Sequence, residues 1–349
     1  MKNKWLGIFV AMLMLVLSAC SAGTQNTAKP ADASAGSSAS TSGKIYNIGI
    51  SQIVEHPALD AARKGFIDAL KENGLEDGKN LKIDYKNAQN DQSTNNTIAQ
   101  GFVADKKDLI LGISTPSAQA ALQNTKDIPV LFTAVSDPVG AKLVKDLKAP
   151  GNNVTGTSDT PPEAIANVVQ SMHDLFPQAK KVGIIYNSGE ANSVANVKRA
   201  DDEMKKVNLT PVEQTVTNTS EVKQAAESLV GKVDLLYIPQ DNTAVSAIKS
   251  IVGVAQANKI PLFVGEKESV KSGGFAGIGF EYYDLGHAAG LMAVKILKDG
   301  AKPGDMPVEY PKQLRLTINK QAAKAMGIDM AKLPKAAMDK WKPEILDGK

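Results

Sequence analysis

Apolar residues follow two alternating patterns along most of the chain. Short runs rich in β-branched and aromatic residues, such as Leu109–Ile113, predict buried strands. The longer segments between them, such as residues 58–72, place apolar residues three and four positions apart and predict amphipathic helices. Strands that alternate with helices long enough to cross over indicate an α/β fold with parallel sheets covered on both faces.

The alternation occurs in two series of similar length, and this predicts two similar Rossmann-like lobes. Each series contains short strands separated by segments with helical periodicity. In chain order, the strands are expected at residues 45–50, 81–85, 109–113 and 129–133, and then at 181–186, 210–215, 234–238, 261–264 and 275–279.

The segment between the two series carries a helix-start signal. In Thr160-Pro161-Pro162-Glu163, a threonine precedes proline and a glutamate stands three residues after it, so we expect a helix that Thr160 caps. After the second series, the periodicity predicts a helix over 283–298 and a strand over 314–318. Asn319 is then expected to cap a further short helix.

The first 20 residues resemble a lipoprotein export signal. Lys2 and Lys4 precede an apolar run shorter than the ~20 residues that a membrane span needs. Cys20 stands where such a signal places the residue that is lipidated after cleavage. We therefore expect a signal peptide over 1–19 and a lipid attached to Cys20. The alternative is a transmembrane anchor with an incidental cysteine.

The segment that follows Cys20 is rich in Ala, Ser, Thr and Gly. Such a composition buries too little apolar surface to offset its ordering entropy, so residues 20–43 are expected to be the lipidated cysteine and a flexible tether. By coil statistics, the tether would reach roughly 25 Å. The expected location is the extracytoplasmic face of a cell membrane, with the body held there by the lipid.

Composition excludes several classes of function. The 349 residues carry a formal charge of +3, which falls to +1 without Lys2 and Lys4, and no dense basic cluster indicates nucleic-acid binding. The single cysteine and the three separated histidines form no local metal-binding motif. P-loop, nucleophile-elbow, zinc-helix and dinucleotide-binding motifs are absent from the sequence. We therefore expect no metal, no cofactor and no enzymatic activity.

Polar residues follow the expected strands in both series. Ligands of parallel α/β sheets bind outside the carboxyl ends of the strands, where helix N-termini favour anions. Hydroxyl and amide groups at these positions suit a carboxylate and acidic groups suit an ammonium, so the set suits a zwitterion. Ordinary helix capping uses the same residue types and is the alternative for each. The candidates are Gln52, His56, Thr115, Ser117, Ser136 and Asp137 in the first series, and Asn187, Glu190, Asp241, Asn242 and Glu268 in the second.

At this point the sequence resembles the substrate-binding lipoproteins of bacterial ABC importers, most closely the branch that takes up tryptophan and tyrosine. The resemblance covers residues 44–330. It is carried by residues 49–60 (GISQIVEHPALD), 136–139 (SDPV), 238–243 (IPQDNT) and 279–286 (GFEYYDLG).

The resemblance implies a type I periplasmic-binding-protein-like fold, in which two Rossmann-like lobes are joined by a three-crossing hinge and close on the ligand. The crossings are then expected at residues 155–159, 280–283 and 302–307. The implied N-terminal lobe comprises 44–156 plus 283–302, and the implied C-terminal lobe comprises 157–282 plus 303–345.

The resemblance also implies function. The protein would bind an amino acid, tryptophan or another aromatic, in the cleft between the lobes and deliver it to ABC permease subunits coupled to a cytoplasmic ATPase. It would act as a monomer. The alternatives are a ligand-sensing lipoprotein receptor of the same fold and an exported hydrolase, which would need a positioned base to activate water.

Individual roles at the implied site can be narrowed. The resemblance places the ligand's carboxylate at the helix starts after Ser114 and Ser136, and its amino group at acidic residues of the second lobe. We expect Asp241 to bind the ammonium, ahead of Glu190 and Asp137, because it directly follows a strongly apolar strand. Aromatic residues near strand ends are candidates for stacking on the ligand's ring: Phe132, Tyr186, Phe280 and Tyr282.

Overall fold

Two sheets with helices on both faces organise residues 44–347, the part of the chain that the structure, a computed structural model, describes. The predicted signal peptide, Cys20 and the tether lie outside the described residues. None of the helices within 44–347 combines the length and apolar character that a membrane span requires.

The first lobe is built on a five-stranded parallel sheet with the order β2-β1-β3-β4-β5. Buried β-branched and leucine residues fill its central strands, as expected for a parallel sheet covered on both faces. Its elements are β1 (Tyr46–Gln52), α1 (Pro57–Glu72), β2 (Leu81–Asn87), α2 (Gln92–Ala104), β3 (Leu109–Ile113), α3 (Thr115–Asn124), β4 (Val130–Val135) and β5 (Val154–Ser158).

The second lobe is built on a seven-stranded sheet with the order β12-β11-β10-β9-β8-β6-β7. All neighbouring strands are parallel except β10 and β11. Its elements up to the second hinge crossing are α4 (Ala164–Leu175), β6 (Lys181–Asn187), α5 (Ala191–Lys206), β7 (Thr210–Val216), α6 (Val222–Ser228), β8 (Leu235–Ile238), α7 (Asn242–Ser246), α8 (Ile248–Asn258), β9 (Leu262–Val264), α9 (Lys267–Lys271) and β10 (Ala276–Gly279).

The remaining elements return to each lobe in turn. Helix α10 packs on α1 of the first lobe so closely that a Cβ on Gly286 would lie 1.8 Å from the Ala62 carbonyl oxygen. The chain then completes the second sheet, and Trp341 donates a hydrogen bond to Asp174 of α4 (2.9 Å). The elements are α10 (Tyr282–Asp299), β11 (Arg315–Asn319), α11 (Lys320–Ala325), α12 (Lys335–Trp341) and β12 (Glu344–Leu346).

The predicted helix start at Thr160 is wrong. Helix α4 begins at Ala164, and the Thr160 hydroxyl donates to Asp159 Oδ1 (2.9 Å) instead of capping. The residue before a proline is disfavoured in the helical region, and Pro162 places Pro161 itself before a proline. The helix therefore begins beyond both prolines.

Two of the three expected hinge crossings, the first and the third, lie later than the sequence suggests. Residues 154–158 form a full strand of the first sheet, so the first crossing follows Ser158. The expected boundary at residue 303 lies inside a segment whose hydrogen bonds are still to the first lobe. There the Val308 amide donates to the Leu147 carbonyl (2.7 Å) and the Glu309 amide to the Gly156 carbonyl (3.1 Å).

Candidate ligand-binding site

A small cavity of about 20 Å³ lies between the carboxyl ends of the two sheets. Its first-lobe wall consists of His56, Leu59, Ser114, Ala134 and Ser136. The cavity therefore lies where the topology of parallel sheets predicts a ligand site.

Two uncapped helix N-termini belong to the first-lobe wall. His56 and Ser114 are the N-cap residues of α1 and α3, and neither side chain caps its helix. Burial lowers the pKa of His56 to about 4, so its imidazole is neutral near pH 7. The free amide groups and the positive ends of both helix dipoles therefore favour an anionic ligand group here.

Two wall residues of the first lobe have left-handed backbones. Ser114 has φ of 77° and Ala134 has φ of 57°, although neither is glycine. At Ala134 the pairing of β4 with β5 shifts register between Phe132 and Val135. Such conformations cost of the order of 1–3 kcal/mol each and cluster at ligand sites.

The second-lobe wall supplies polar and acidic groups. Its residues are Asn192, Gln240, Asp241, Asn242, Val245 and Glu266. Asp241 accepts hydrogen bonds from the Ala244 and Asn187 amides, both at 2.6 Å. Burial, together with the charge of Glu190, raises the pKa of Asp241 to about 7.

Two further residues close the cavity on the hinge side, Asp159 and Tyr282. The Tyr282 hydroxyl donates to Asp159 Oδ2 (3.0 Å), and burial raises the pKa of the Asp159 carboxyl. Burial, reinforced by the nearby charges of Glu268 and Asp159, raises the pKa of Glu266 to about 8. The hinge side of the cavity is therefore acidic.

Several buried polar atoms of the wall have no hydrogen-bond partner among the described residues: His56 Nδ1, Asn192 Oδ1 and Gln240 Oε1. Each of these side chains is more than nine-tenths buried. Leaving such atoms unpaired costs about 1–3 kcal/mol each. The wall therefore has hydrogen-bonding capacity that a bound molecule can satisfy.

The charges of the wall have one sign. Asp159, Asp241 and Glu266 line the cavity, and no lysine or arginine of the described residues does. Within the same residues, no group of His, Cys, Asp and Glu is placed to hold a metal ion. A cationic group of an organic ligand is the complement of these acidic residues on the second-lobe and hinge sides.

Four of the predicted site residues line the cavity: His56, Ser136, Asp241 and Asn242. Of the four aromatic candidates, Tyr282 lines it. Phe132 lies in the first-lobe core, Phe280 stacks on Tyr282, and the Tyr186 hydroxyl donates to Glu213.

The remaining first-lobe candidates are engaged elsewhere. The Gln52 amide is used up by Asp60, the Val54 carbonyl and Arg63. Ser117 donates to Asn95 (3.2 Å) beneath the wall, and Thr115 is buried beside it. Asp137 forms an ion pair with Arg199 (2.9 Å). These four side chains do not line the cavity.

The remaining second-lobe candidates support the wall from behind. Both Glu190 carboxylate oxygens accept hydrogen bonds from the first turn of α7, and Asn187 donates to Thr243 (2.9 Å). Glu268 is buried outside the lining. The sequence missed Leu59, Asp159, Asn192 and Gln240, and from the polar segment 266–269 after β9 it selected Glu268 instead of Glu266. Glu266 carried a usable signal, because it follows its strand as Asp241 follows its own.

The lobes meet across the cavity mouth. Three polar contacts join them: Asn90 Nδ2 to Thr243 Oγ1 (2.9 Å), Asn196 Nδ2 to Ser136 Oγ (3.2 Å) and Arg199 to Asp137 (2.9 Å). All three bridge one lobe to the other, and the contact between Asn196 and Ser136 is buried. The lobes are therefore closed over the cavity in this structure.

Three similar proteins bear on the fold and on the closure of the lobes. The tyrosine-binding protein of Clostridioides difficile is 51% identical over 83% of each chain. A Streptococcus pneumoniae ABC domain in complex with L-tryptophan is 37% identical, with a TM-score of 0.80 over 87% of this chain and 100% of that one. The ligand-free, open structure of a substrate-binding protein with adhesive properties from Clostridium difficile is 44% identical over the same shares, with a TM-score of 0.64. The lobe arrangement is thus nearer to the complex than to the more identical open structure.

The family model for ABC transporter substrate-binding proteins matches residues 47–338. This family binds solutes without catalysis, which excludes the hydrolase alternative. With its two parallel-sheet lobes and cleft, the chain has the type I periplasmic-binding-protein-like fold. The chain therefore belongs to the ABC transporter substrate-binding protein family, as a non-catalytic solute-binding protein.

Proposed function

We propose that this protein binds an aromatic L-amino acid, tryptophan or tyrosine, in the cleft between the lobes and delivers it to the permease of an ABC importer. The observation that carries this proposal is the polarity of the cavity. Uncapped helix N-termini form the first-lobe wall, whereas buried carboxylates lie on the second-lobe and hinge sides. A zwitterion complements both at once.

The anionic end of the ligand fits the first lobe. The start of α3 offers backbone amides, and Ser114 and Ser136 offer hydroxyl groups at the same wall. Hydrogen bonds to a carboxylate are worth about 1.5–3 kcal/mol each. We assign the ligand's carboxylate to this wall.

The apolar end of the ligand fits a patch of apolar side chains. Leu59 and Ala134 from the first lobe and Val245 from the second line the cavity together with the Tyr282 ring. Contact with an aromatic ring adds about 0.5–1.5 kcal/mol beyond the area buried. The named ligands of the C. difficile relative and of the S. pneumoniae structure, tyrosine and L-tryptophan, support an aromatic side chain.

Anchoring is a second part of the proposal. The sequence around Cys20 supports export, cleavage and lipidation, which would hold the protein on the extracytoplasmic face of the cell membrane through the tether. We propose that it works there as a monomer beside the permease and its cytoplasmic ATPase. The sensory alternative has no support in the family match.

Ligand binding is tested by isothermal calorimetry of the purified protein with the 20 amino acids, backed by thermal unfolding. A ligand at 100 times its Kd should stabilise the protein by about 2.7 kcal/mol. We expect tryptophan, tyrosine or both to bind. Binding of branched-chain amino acids or sugars without any aromatic amino acid would overturn the assignment.

Anchoring is tested by membrane fractionation of Cys20→Ser. We expect the variant, once its signal is removed, in the soluble fraction, because the tether contains few apolar residues. A processed variant that stays with the membrane would contradict lipid anchoring at Cys20.

A further inference from the structure

The buried carboxylates around the cavity are not equally available to a ligand. Glu190 accepts from the Asn242 and Thr243 amides and from both of their side chains. Asp137 is held by Arg199 and by the Gly140 amide. These two carboxylates are satisfied by the protein, and neither lines the cavity.

Asp241 lines the cavity, but its oxygens are also taken. One oxygen accepts from the Ala244 amide and so caps α7, and the other accepts from the Asn187 amide at the end of β6. Both distances are 2.6 Å, typical of charge-assisted bonds. Its role is to fix β6, β8 and α7 relative to one another.

Glu266 is different, although it too begins a helix. Its side chain does not cap α9, and one oxygen accepts from the Ser269 hydroxyl (2.7 Å). The other oxygen has no partner among residues 44–347. Glu266 therefore presents an unused carboxylate oxygen at the cavity wall.

Asp159 faces the same space from the hinge. Its partners are the hydroxyl groups of Thr160, Tyr282 and Ser136, and none of them is charged. Asp159 and Glu266 line the same small cavity, and the charge of Asp159, after burial and the charge of Glu268, helps to raise the pKa of Glu266. Two buried carboxylates this near to each other repel unless a proton or a cation lies between them.

A third acceptor lies beside this pair. The Gln240 amide nitrogen donates to the Gly265 carbonyl (2.9 Å), which leaves Gln240 Oε1 buried without a donor. This oxygen would be 2.7 Å from a Cβ on Gly265, the residue before Glu266. An ammonium group has three N–H donors and needs three acceptors.

From this geometry we propose that Asp159, Glu266 and Gln240 form the subsite for the ligand's ammonium group. The assignment rests on the proposed function, because it takes the ligand to be an amino acid. The subsite draws on the hinge and on two strand ends of the second lobe, β8 and β9. It thereby selects a protonated amine over analogues that lack one.

The test measures L-tryptophan binding to the full chain by calorimetry at pH 8 for Asp159→Asn, Glu266→Gln and Gln240→Met. The matched control is Glu227→Gln, the same substitution at an exposed glutamate of α6 that lies outside the cavity lining. Circular dichroism establishes that each variant is folded. Because the three positions lie on separate segments of the chain, the remaining variants still test the subsite if one of them fails to fold.

We expect the Kd for L-tryptophan to rise about 10- to 150-fold in Asp159→Asn and Glu266→Gln, the scale of a hydrogen bond between charged groups. Gln240→Met should lose about 2- to 10-fold, the scale of a neutral bond. The control should stay within about twofold of the wild type.

The deaminated analogue indole-3-propionate isolates the role of the amine. It should bind Glu266→Gln as tightly as the wild type or more tightly, because it brings no cation for the carboxylate to meet. Folded Asp159→Asn and Glu266→Gln variants that bind L-tryptophan like the wild type would overturn the subsite. A wild type that binds no aromatic amino acid would instead overturn the proposed function.

Discussion

The β8–α7 and β9–α9 junctions of the second lobe place a carboxylate at the same position and use it differently. Asp241 and Glu266 are each the N-cap residue of a five-residue helix, and both are buried at the cavity wall. Asp241 caps its helix with its side chain, whereas Glu266 does not. Only the Asp241 carboxylate is saturated by backbone amides.

Side-chain length explains the difference. The short aspartate side chain reaches the amide three residues on, which is why Asp is among the favoured N-caps and Glu is not. The extra methylene of Glu266 carries its carboxylate past the backbone amides of α9, so that it accepts from the Ser269 hydroxyl of the same helix and lies at the cavity wall. An N-cap position with glutamate can therefore supply a ligand-binding group where aspartate supplies a structural one.

The largest expected effect is on the pH dependence of binding. Glu266 has a pKa of about 8 without ligand, so an ammonium must displace its proton at lower pH. We expect L-tryptophan affinity to weaken by up to about tenfold per pH unit from pH 8 to pH 6, measured by calorimetry. The other titratable groups that face or adjoin Glu266 are Asp159, Asp241, Glu268, His56 and Tyr282.

Glu266→Gln isolates the contribution of Glu266 to this pH dependence. In that variant the affinity for L-tryptophan should depend less on pH. The difference in slope between the variant and the wild type then measures the contribution of residue 266. An equally steep dependence in Glu266→Gln and the wild type would place the titrating group elsewhere.

The next effect is on the stability of the ligand-free protein. A raised folded-state pKa means that the stability contributed by Glu266 is fully present below about 4.5 and is lost as the pH rises through about 8. Glu266→Gln removes this loss. The free energy of unfolding of the variant, relative to that of the wild type, should therefore be of the order of 1–3 kcal/mol higher at pH 8 than at pH 5. Urea unfolding at both pH values measures it, with the exposed Glu227→Gln as control.

Asp241→Asn should lower the stability of the protein and leave its affinity for L-tryptophan almost unchanged. An asparagine has one acceptor oxygen, whereas two backbone amides donate to Asp241, so one amide loses its partner. We expect a loss of about 1–2 kcal/mol in the free energy of unfolding, with L-tryptophan affinity changed by less than about threefold. If Asp241→Asn is stable but loses binding about tenfold or more, Asp241 is the ammonium partner after all.

The smallest expected effect concerns closure. Arg199 and Asp137 form a half-exposed ion pair across the rim, and such pairs are worth about 0.2–1 kcal/mol. Arg199→Ala should therefore weaken L-tryptophan binding by about two- to fivefold, and more at low salt. Lys205→Ala, an exposed change on the same helix that breaks a contact with Asp202, is the control. Equal losses in both variants would remove the rim pair from the account.

Most strands and helices could be predicted from sequence because their apolar periodicity is local. The family followed from local motifs such as residues 49–60, and the family match confirms it. The start of α4 could not be read correctly, because two successive prolines overrode an otherwise favourable cap.

The site residues were only partly predictable, because contacts between residues distant in sequence decide which side chains line the cavity. Gln52 stands at a strand end like a ligand residue, but Arg63 and Asp60 consume its amide. Asp159 appears in sequence as a hinge residue, and its place in the wall depends on Tyr282, far along the chain. Whether Glu266 or Glu268 faces the cavity depends on where the three-residue strand β9 ends. A position at a strand end therefore identifies a residue as a candidate, and tertiary contacts decide whether it lines the cavity.

The most direct test of the ammonium subsite is a crystal structure of the protein with bound L-tryptophan. We expect the ligand's nitrogen within about 3.2 Å of Asp159, Glu266 and Gln240 Oε1, and the ligand's carboxylate at the start of α3. We also expect Asp241 to keep its two hydrogen bonds from backbone amides. A nitrogen bound by Asp241, or a ligand carboxylate facing the hinge, would contradict the account.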